Sequence, residues 1–166
     1  MRNWKAIVAM GENRVIGINN TLPWDIPEEK EWFRTKTSKQ LLVLGRKTFE
    51  SIRFRNPESQ YLVLSKNEKN SDYDSNVQFI NNIDKLDSIN TNKEVWICGG
   101  EEIYRQTLTN CSELYLTTIK KSFDGDCYFP DYKEDFIFNE IIFENEYFII
   151  EKYINKNGVN SVEFNN

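Results

Sequence analysis

Short apolar runs recur along the chain and end at glycine or polar residues. The clearest lie at residues 6–10, 41–44, 61–64 and 94–98. Runs of this length without alternation are typical of strands buried on both faces, as in parallel sheets. Shorter or alternating stretches predict further strands at 77–80, 113–119, 136–143 and 148–154.

Helical segments are predicted between these strands. They cover residues 25 to about 36, 48–52, 84–89 and 101 to about 108. Strands alternate with helices until the chain becomes β-rich at its end, where Asn157-Gly158 predicts a hairpin that pairs 159–164 back antiparallel. We therefore expect an α/β fold over 1–166, a single domain with a central, mostly parallel sheet of about eight strands. Antiparallel C-terminal strands complete it, and about four helices flank it.

The first predicted helix contains the most informative carboxyl group. Asp25 is expected to cap it, with Pro27 in its first turn. Helical spacing then places Glu29, Trp32 and Phe33 on one face. A glutamate beside two aromatic rings is either an ordinary first-turn partner of the helix dipole or a deliberately buried acid.

Composition narrows the chemistry. The chain has 166 residues, a net charge of −5 and no basic block, so nucleic acid is not an expected partner. It contains no histidine, which excludes histidine-based triads and most catalytic zinc sites. The cysteines at 98, 111 and 127 match neither a disulfide framework nor a metal spacing, so we expect no metal and a reducing, cytoplasmic setting. The polar start and the lack of a long apolar run predict neither a signal peptide nor a membrane span.

Glycine marks three segments that could approach a ligand. The loop 11–22 is rich in glycine and asparagine and is expected to be a mobile surface loop. Gly45-Arg46-Lys47-Thr48 joins a strand to a helix, which favours a phosphate site or, equally, a solvated basic turn. Gly99-Gly100 also joins a strand to a helix, but the third spaced glycine of a dinucleotide fingerprint is missing.

These motifs occur together and in one order. They comprise Val15-Ile16-Gly17, Leu22-Pro23-Trp24 with Glu29, the segment 45–52, Leu64-Ser65, Cys98-Gly99-Gly100 with Tyr104, Tyr115-Leu116-Thr117, and Gly125-Asp126 with Phe129-Pro130. In this arrangement the chain resembles the dihydrofolate reductase family over nearly its whole length. The resemblance implies hydride transfer from NADPH to C6 of 7,8-dihydrofolate, protonation of N5, and a monomeric enzyme of one-carbon metabolism.

The resemblance also assigns roles to residues. It implies a catalytic set of Leu22, Trp24, Glu29 and Thr117, in which Glu29 grips the pterin, Trp24 holds a water and Thr117 hydrogen-bonds Glu29. It implies a substrate site of Ile7, Val8, Glu29, Lys30, Phe33, Arg34, Ile52, Arg53, Arg55, Ser59, Cys98, Tyr104 and Thr117. It implies an NADPH site of Ala9, Val15, Ile16, Gly17, Asn20, Thr21, Leu22, Gly45, Arg46, Lys47, Thr48, Leu64, Ser65, Lys66, Cys98, Gly99, Gly100, Glu101, Glu102, Ile103 and Tyr104, with a cis Gly99-Gly100 peptide.

Three positions depart from the family pattern. Ser59 stands where the family has an arginine for the substrate's glutamate tail, so Arg34, Arg53 or Arg55 is expected to replace it. Lys30 replaces an apolar contact, and Glu102 replaces a frequent arginine near the cofactor phosphate. Two other readings stay open: a reductase of another pterin or of a pyrimidine-type riboflavin precursor, and a non-catalytic NADPH-binding module.

Overall fold

The computed structural model describes residues 2–67 and 73–158, which form ten strands and three α-helices. The strands are β1 Trp4–Gly11, β2 Val15–Gly17, β3 Leu41–Gly45, β4 Gln60–Leu64, β5 Val77–Ile80, β6 Val95–Ile97, β7 Cys111–Ile119, β8 Cys127–Tyr128, β9 Phe136–Glu144 and β10 Phe148–Asn155. The α-helices are α1 Pro27–Thr37, α2 Arg46–Ser51 and α3 Glu101–Thr107, and two 3-10 helices cover Ile83–Ser88 and Leu108–Asn110.

Eight of these strands form one sheet in the order β5-β4-β3-β6-β1-β7-β10-β9. The pairs from β5 to β7 are parallel, whereas β10 is antiparallel to both of its neighbours. β1 is central, with Ala6 opposite Ile97 on one side and Leu114 on the other. The expected α/β fold with an eight-stranded, mostly parallel sheet and antiparallel C-terminal strands is therefore confirmed.

The apolar runs are unbroken because both faces of the sheet are covered. Along β3, Leu41 and Val43 join a hydrophobic cluster with β1, while Leu42 and Leu44 join another with Phe49 of α2. Successive side chains of a strand point to opposite faces. A strand that packs between two cores is therefore apolar on both faces. Burial of each such aliphatic side chain contributes roughly 1.5–3 kcal/mol.

Two local predictions are wrong. Asp25 does not cap α1: Ile26 occupies the N-cap with no side-chain hydrogen bond, and the Asp25 carboxylate instead binds Lys30. Pro27 does occupy the first turn, as expected. At the other end of the chain, residues 156–158 are helical rather than a hairpin turn, and the strand expected at 159–164 lies outside the described residues.

The parallel topology creates the edge on which ligands can bind. β3 ends at Gly45 and β6 is followed by Gly99, so both glycine turns lie at the carboxyl edge of neighbouring strands. α1 precedes β3 in the chain, and its aromatic residues Trp32 and Phe33 pack against a cluster built on Ile7 of β1. No helix in the described ranges is long and apolar enough to cross a membrane.

Candidate active site

Glu29 is the only buried acidic residue in the part of the chain that the structure describes. It lies in the first turn of α1 with 6% of its surface exposed. Its Oε2 is buried and has no hydrogen-bond partner among the described residues. Burial raises the pKa of the carboxyl group, while the Trp24 indole and the charge of Lys30 act in the opposite direction. This group is desolvated and has an acceptor available for a ligand.

Trp24 lies beside this carboxyl group, and it too is buried with a polar atom that has no partner in the described chain. The indole is 7% exposed and packs on Phe123, with ring centroids 5.2 Å apart. Although the indole influences Glu29, its Nε1 makes no hydrogen bond within the described residues. A buried donor and a buried acceptor without partners each cost free energy until a ligand or water satisfies them.

Aromatic and aliphatic side chains enclose the acid, as the helical spacing predicted. Trp32 and Phe33 are half-buried and pack against a cluster of Ile7, Trp96 and Tyr115. The predicted face of Glu29, Trp32 and Phe33 is therefore the inner face of α1. Its apolar walls explain the desolvation of Glu29.

Tyr104 of α3 is buried and contacts β1. Its hydroxyl donates a hydrogen bond of 2.6 Å to the carbonyl oxygen of Ile7. Burial raises its pKa well above the ordinary value, and the charge of Glu29 adds to the effect. Burial likewise raises the pKa of the Cys98 thiol. Tyr104 is thus a neutral donor that ties α3 to β1, and Cys98 is too weak an acid to supply a thiolate nucleophile.

Thr117 lies in the neighbouring strand β7. It is 1% exposed and is paired with Ala9 of β1 and Ile150 of β10. No hydrogen bond joins its hydroxyl to Glu29 in the described chain. Its expected support of Glu29 therefore stays a prediction.

The glycine turns at the ends of β3 and β6 pack against each other. The Gly99-Gly100 peptide is cis, as the family resemblance implies, and Gly45 N donates to the carbonyl of Gly99 at 2.8 Å. A Cβ at Gly99 would lie 2.8 Å from the Tyr104 ring, and one at Gly100 would lie 3.2 Å from the Thr48 hydroxyl. A side chain at Gly99 would collide with Tyr104, and one at Gly100 would crowd Thr48, so the close packing of this turn depends on glycine.

The first turns of α2 and α3 begin at this glycine edge. Neither has a side-chain cap, so their first backbone N–H groups remain available to an anion. Arg46 lies at the start of α2 and pairs with Glu50 at 3.3 Å on an exposed surface. Exposed pairs of this kind contribute little and can yield to a stronger anion. The residues at this edge therefore fit a phosphate-bearing dinucleotide.

The predicted surface loop 11–22 is anchored to the rest of the structure by several contacts. Val15 is fully buried, and β2 pairs with β8 in a second, two-stranded sheet. Asp126 joins the two segments because its carboxylate accepts from Asn19 N at 3.1 Å and its own N–H donates to Gly17 O at 3.0 Å. This strand pair was not predicted.

Gly125 and Tyr128, which lie outside the predicted site, help to hold this loop in place. A Cβ at Gly125 would lie 2.7 Å from Gly17 O and would also collide with Val15, so only glycine fits there. Glu101 accepts from Tyr128 N at 2.9 Å and links α3 to β8. The Gly125-Asp126 pair was noted as a motif, and this close contact gives it a structural reason.

Ser59, which stands where the family has an arginine for the glutamate tail, is buried. It is 1% exposed, and its Oγ accepts from Lys39 N at 3.1 Å. Its assignment to the substrate site stays a prediction.

The three candidate arginines differ sharply. Arg34 is exposed and contacts Glu31 at 3.9 Å, and Arg53 is exposed. The guanidinium of Arg55 lies 4.0 Å from the centroid of Phe49 and 5.4 Å from that of Tyr73. Arg55 Nε is buried without a hydrogen-bond partner among the described residues.

The predicted site residues fall into three groups by exposure. The buried members are Ile7, Val8, Val15, Trp24, Glu29, Ser59, Ser65, Gly99, Ile103, Tyr104 and Thr117. The half-buried members are Ala9, Ile16, Gly17, Lys30, Phe33, Gly45, Thr48, Ile52, Arg55, Leu64, Cys98, Gly100 and Glu101. The exposed members are Asn20, Thr21, Leu22, Arg34, Arg46, Lys47, Arg53, Lys66 and Glu102. Five of the seven predicted cations are exposed, and Lys30 and Arg55 are half-buried.

A mostly parallel sheet with a glycine-lined carboxyl edge, set beside one desolvated acid, suits an enzyme that binds a dinucleotide. The sequence model of the family described as dihydrofolate reductase matches residues 3–148. The chain is 43% identical to the dihydrofolate reductase of Buchnera aphidicola subsp. Baizongia pistaciae over 150 residues, covering 87% of this chain and 89% of that protein. It is 36% identical to the dihydrofolate reductase of Mycoplasma genitalium over 156 residues, covering 91% and 97%.

A solved structure agrees with these relatives. The dihydrofolate reductase of Enterococcus faecalis, in complex with NADP(H) and RAB-propyl, superposes with a TM-score of 0.78 at 28% identity. The match covers 92% of this chain and 96% of that one. The chain belongs to the dihydrofolate reductase family, whose members are oxidoreductases.

Proposed function

We propose that this chain catalyses the NADPH-dependent reduction of 7,8-dihydrofolate to 5,6,7,8-tetrahydrofolate, which supports one-carbon and thymidylate metabolism. The observation that carries the proposal is the buried Oε2 of Glu29, which has no hydrogen-bond partner among the described residues. The Glu29 charge acts on the phenol of Tyr104, whose ring lies next to Gly99 of the glycine edge. Bound NADPH supplies the hydride for C6 of the pterin. The residues of the chain bind the substrate, orient it and hold the water that delivers the proton.

Glu29 binds the pterin. The 2-amino group and N3 of the ring present adjacent N–H donors, and the carboxylate accepts from them in a charge-assisted pair. This pairing satisfies Oε2 and offsets the desolvation that burial imposes. It also orients the ring so that C6 faces the glycine edge.

Trp24 and Leu22 control the access of water to the pterin site. Trp24 Nε1 is a buried donor beside Glu29, suited to hold the one water that delivers a proton to N5. Leu22 is 47% exposed at the end of the loop and is positioned to cover the ring. Exclusion of bulk water strengthens the electrostatic interactions of Glu29.

The carboxyl edge of the sheet would hold the cofactor. Ala9, Ile16 and the Gly99-Gly100 turn would line the nicotinamide, and backbone N–H groups at the uncapped starts of α2 and α3 would donate to the pyrophosphate. Arg46, Lys47, Ser65 and Lys66 would bind the 2′-phosphate. Cations without this phosphate would lack a partner, which favours NADPH over NADH.

Arg55 binds the glutamate tail of the substrate. It is the one of the three candidates whose guanidinium carries a buried, unpaired N–H, and the Phe49 ring fixes its plane. A preoriented guanidinium matches a carboxylate in a bidentate arrangement. Phe49 shares its cluster with the half-buried Phe33, Ile52 and Cys98 of the substrate site.

We further infer that the enzyme works as a monomer in the cytoplasm. All three cysteines are free thiols, which suits a reducing compartment. Light scattering of the purified protein measures the oligomeric state directly.

The activity is tested by the loss of NADPH absorbance with two substrates, dihydrofolate and a dihydropterin that lacks the glutamate tail. We expect turnover of both and a lower KM for dihydrofolate. Turnover of the tailless pterin alone would identify a reductase of another pterin. Failure of both substrates with NADPH still bound would identify a non-catalytic cofactor-binding module.

A further inference from the structure

An exposed ion pair joins the two residues that directly follow Trp24 and Glu29 in the chain. Asp25 Oδ1 lies 2.6 Å from Lys30 Nζ, with 82% and 43% of the respective side chains exposed. Asp25 directly follows Trp24, and Lys30 directly follows Glu29. The contact therefore joins the segment before α1 to its first turns, on the solvent side of Trp24 and Glu29.

Helix stability does not explain Lys30. A cation near the N-terminus of a helix is unfavourable because that end carries the positive part of the helix dipole. Asp25 does not compensate as a cap, since the N-cap is Ile26 and makes no side-chain hydrogen bond. An exposed pair by itself contributes little to folding.

The pair does act on the buried acid. The charge of Lys30 favours ionised Glu29 and lowers its pKa against the effect of burial, and the Lys30 charge lowers the pKa of Asp25 as well. The other groups that face Glu29 are neutral: the indole of Trp24 from the preceding segment and the phenol of Tyr104 from α3. Lys30 is thus a charged group that acts on Glu29, and Asp25 is its ion-pair partner.

We propose that the Asp25–Lys30 ion pair is a positioning device of the active site: it holds the Trp24 segment against α1, and it fixes the Lys30 charge next to Glu29 at a place where the Asp25 charge opposes it. The proposal rests on the function proposed for Glu29. The two partners have opposite electrostatic effects, although both belong to the same mechanical contact. This difference separates the proposal from a purely structural role.

The test compares Lys30→Met with Asp25→Asn in the full chain at low ionic strength. Loss of Lys30 removes the charge that favours the ionised carboxyl, so the limb of the pH profile that follows Glu29 moves to higher pH. Loss of Asp25 leaves Lys30 unopposed, and the limb moves to lower pH. We expect opposite changes of about two- to fivefold in kcat/KM at a pH near the midpoint, and we expect both to shrink in high salt.

Two further variants make the result decisive. Asp25→Lys combined with Lys30→Asp keeps a contact but places the negative charge next to Glu29, so the limb moves in the direction of Lys30→Met. Lys39→Met is the control, because Lys39 forms a similar exposed pair with Glu58 at 3.4 Å beyond the other end of α1. The control is expected to leave the limb in place.

A direct titration distinguishes this proposal from the proposed function. Carbon NMR of the Glu29 carboxyl in the ligand-free variants reports ionisation without any turnover. Opposite displacements of that titration support the ion-pair proposal even if dihydrofolate proves not to be the substrate. Displacements in the same direction, or none at low salt, would overturn it.

Discussion

The pterin side and the cofactor side of the active site differ in the burial and the pairing of their polar groups. On the pterin side, Glu29 and Trp24 are buried, and each keeps a polar atom without a partner in the described chain. On the cofactor side, the cations are exposed, and Arg46 is already paired with a carboxylate of its own helix. One side holds unsatisfied groups away from water, whereas the other relies on close backbone approach and on surface charge.

This difference indicates where specificity originates. A buried unpaired acceptor discriminates strongly, because a ligand without the matching donors leaves the desolvation cost uncompensated. Exposed cations are screened by salt and contribute mainly to attraction and orientation. We therefore expect substitutions inside the pterin pocket to affect chemistry and substitutions at the glycine edge to affect cofactor binding and folding.

The largest expected effect is that of Glu29→Gln on turnover. The amide cannot carry the charge that pairs with the pterin edge, so kcat/KM for dihydrofolate should fall by about 100-fold or more near neutral pH. Stopped-flow measurement of NADPH oxidation gives the rate. NADPH affinity, measured by fluorescence titration, should stay the same, and an equal loss of both would remove the contrast between the two halves.

Gly99→Ala should damage the cofactor side. Gly99 has φ of +100°, and an added Cβ would lie 2.8 Å from the Tyr104 ring. The strain should lower the free energy of unfolding by about 1–3 kcal/mol and weaken NADPH binding. Gly45→Ala is the matched control on the same edge, because its φ is −73° and the added Cβ meets Ile103 at an ordinary 3.5 Å. Urea denaturation of both variants measures the difference, and equal losses would contradict this reading.

Arg55→Met should raise the KM for dihydrofolate by about tenfold, the loss of a charge-assisted hydrogen bond. The tailless dihydropterin should be turned over as before, since Arg55 contacts only the tail. Arg53→Met is the control from the exposed surface of the same segment. If Arg53 and not Arg55 produces the selective change, the assignment of the tail cation passes to Arg53.

The smallest effect concerns stability and follows from the raised pKa of Glu29. Between its ordinary value of 4.5 and its raised value, the folded state binds more protons than the unfolded state, so stability falls as pH rises through that window. Glu29→Gln removes this loss and should have a slightly higher Tm than the parent at neutral pH. The difference should vanish below pH 4.5, and calorimetry at the two pH values checks it.

Much of the fold was predictable because the apolar runs are unambiguous. Residues 41–44 and 61–64 could only be strands with both faces covered, and the structure pairs them in a parallel sheet. The helical face of Glu29 was predictable for the same reason, since i, i+3 and i+4 positions must share a face. Periodicity therefore determines which element forms and which side of it turns inward.

The errors have a common physical cause: competition among polar groups that the sequence does not rank. Asp25 had the correct spacing for a cap, but its carboxylate forms an ion pair with Lys30 instead. The pairing of β2 with β8 depends on a contact between Gly125 and Val15 that is distant in sequence. Local patterns do not report such choices.

The central claim is that the Glu29 carboxyl is buried and has no hydrogen-bond partner among the described residues until the pterin binds. Its most direct test is the titration of that carboxyl, labelled with carbon-13, in the ligand-free protein and in the complex with a pterin ligand. We predict a midpoint above 4.5 in the free protein and a shift to lower pH on binding, because the ligand's N–H donors favour the ionised form. A midpoint at or below 4.5 in the free protein, or no change on binding, would contradict the account.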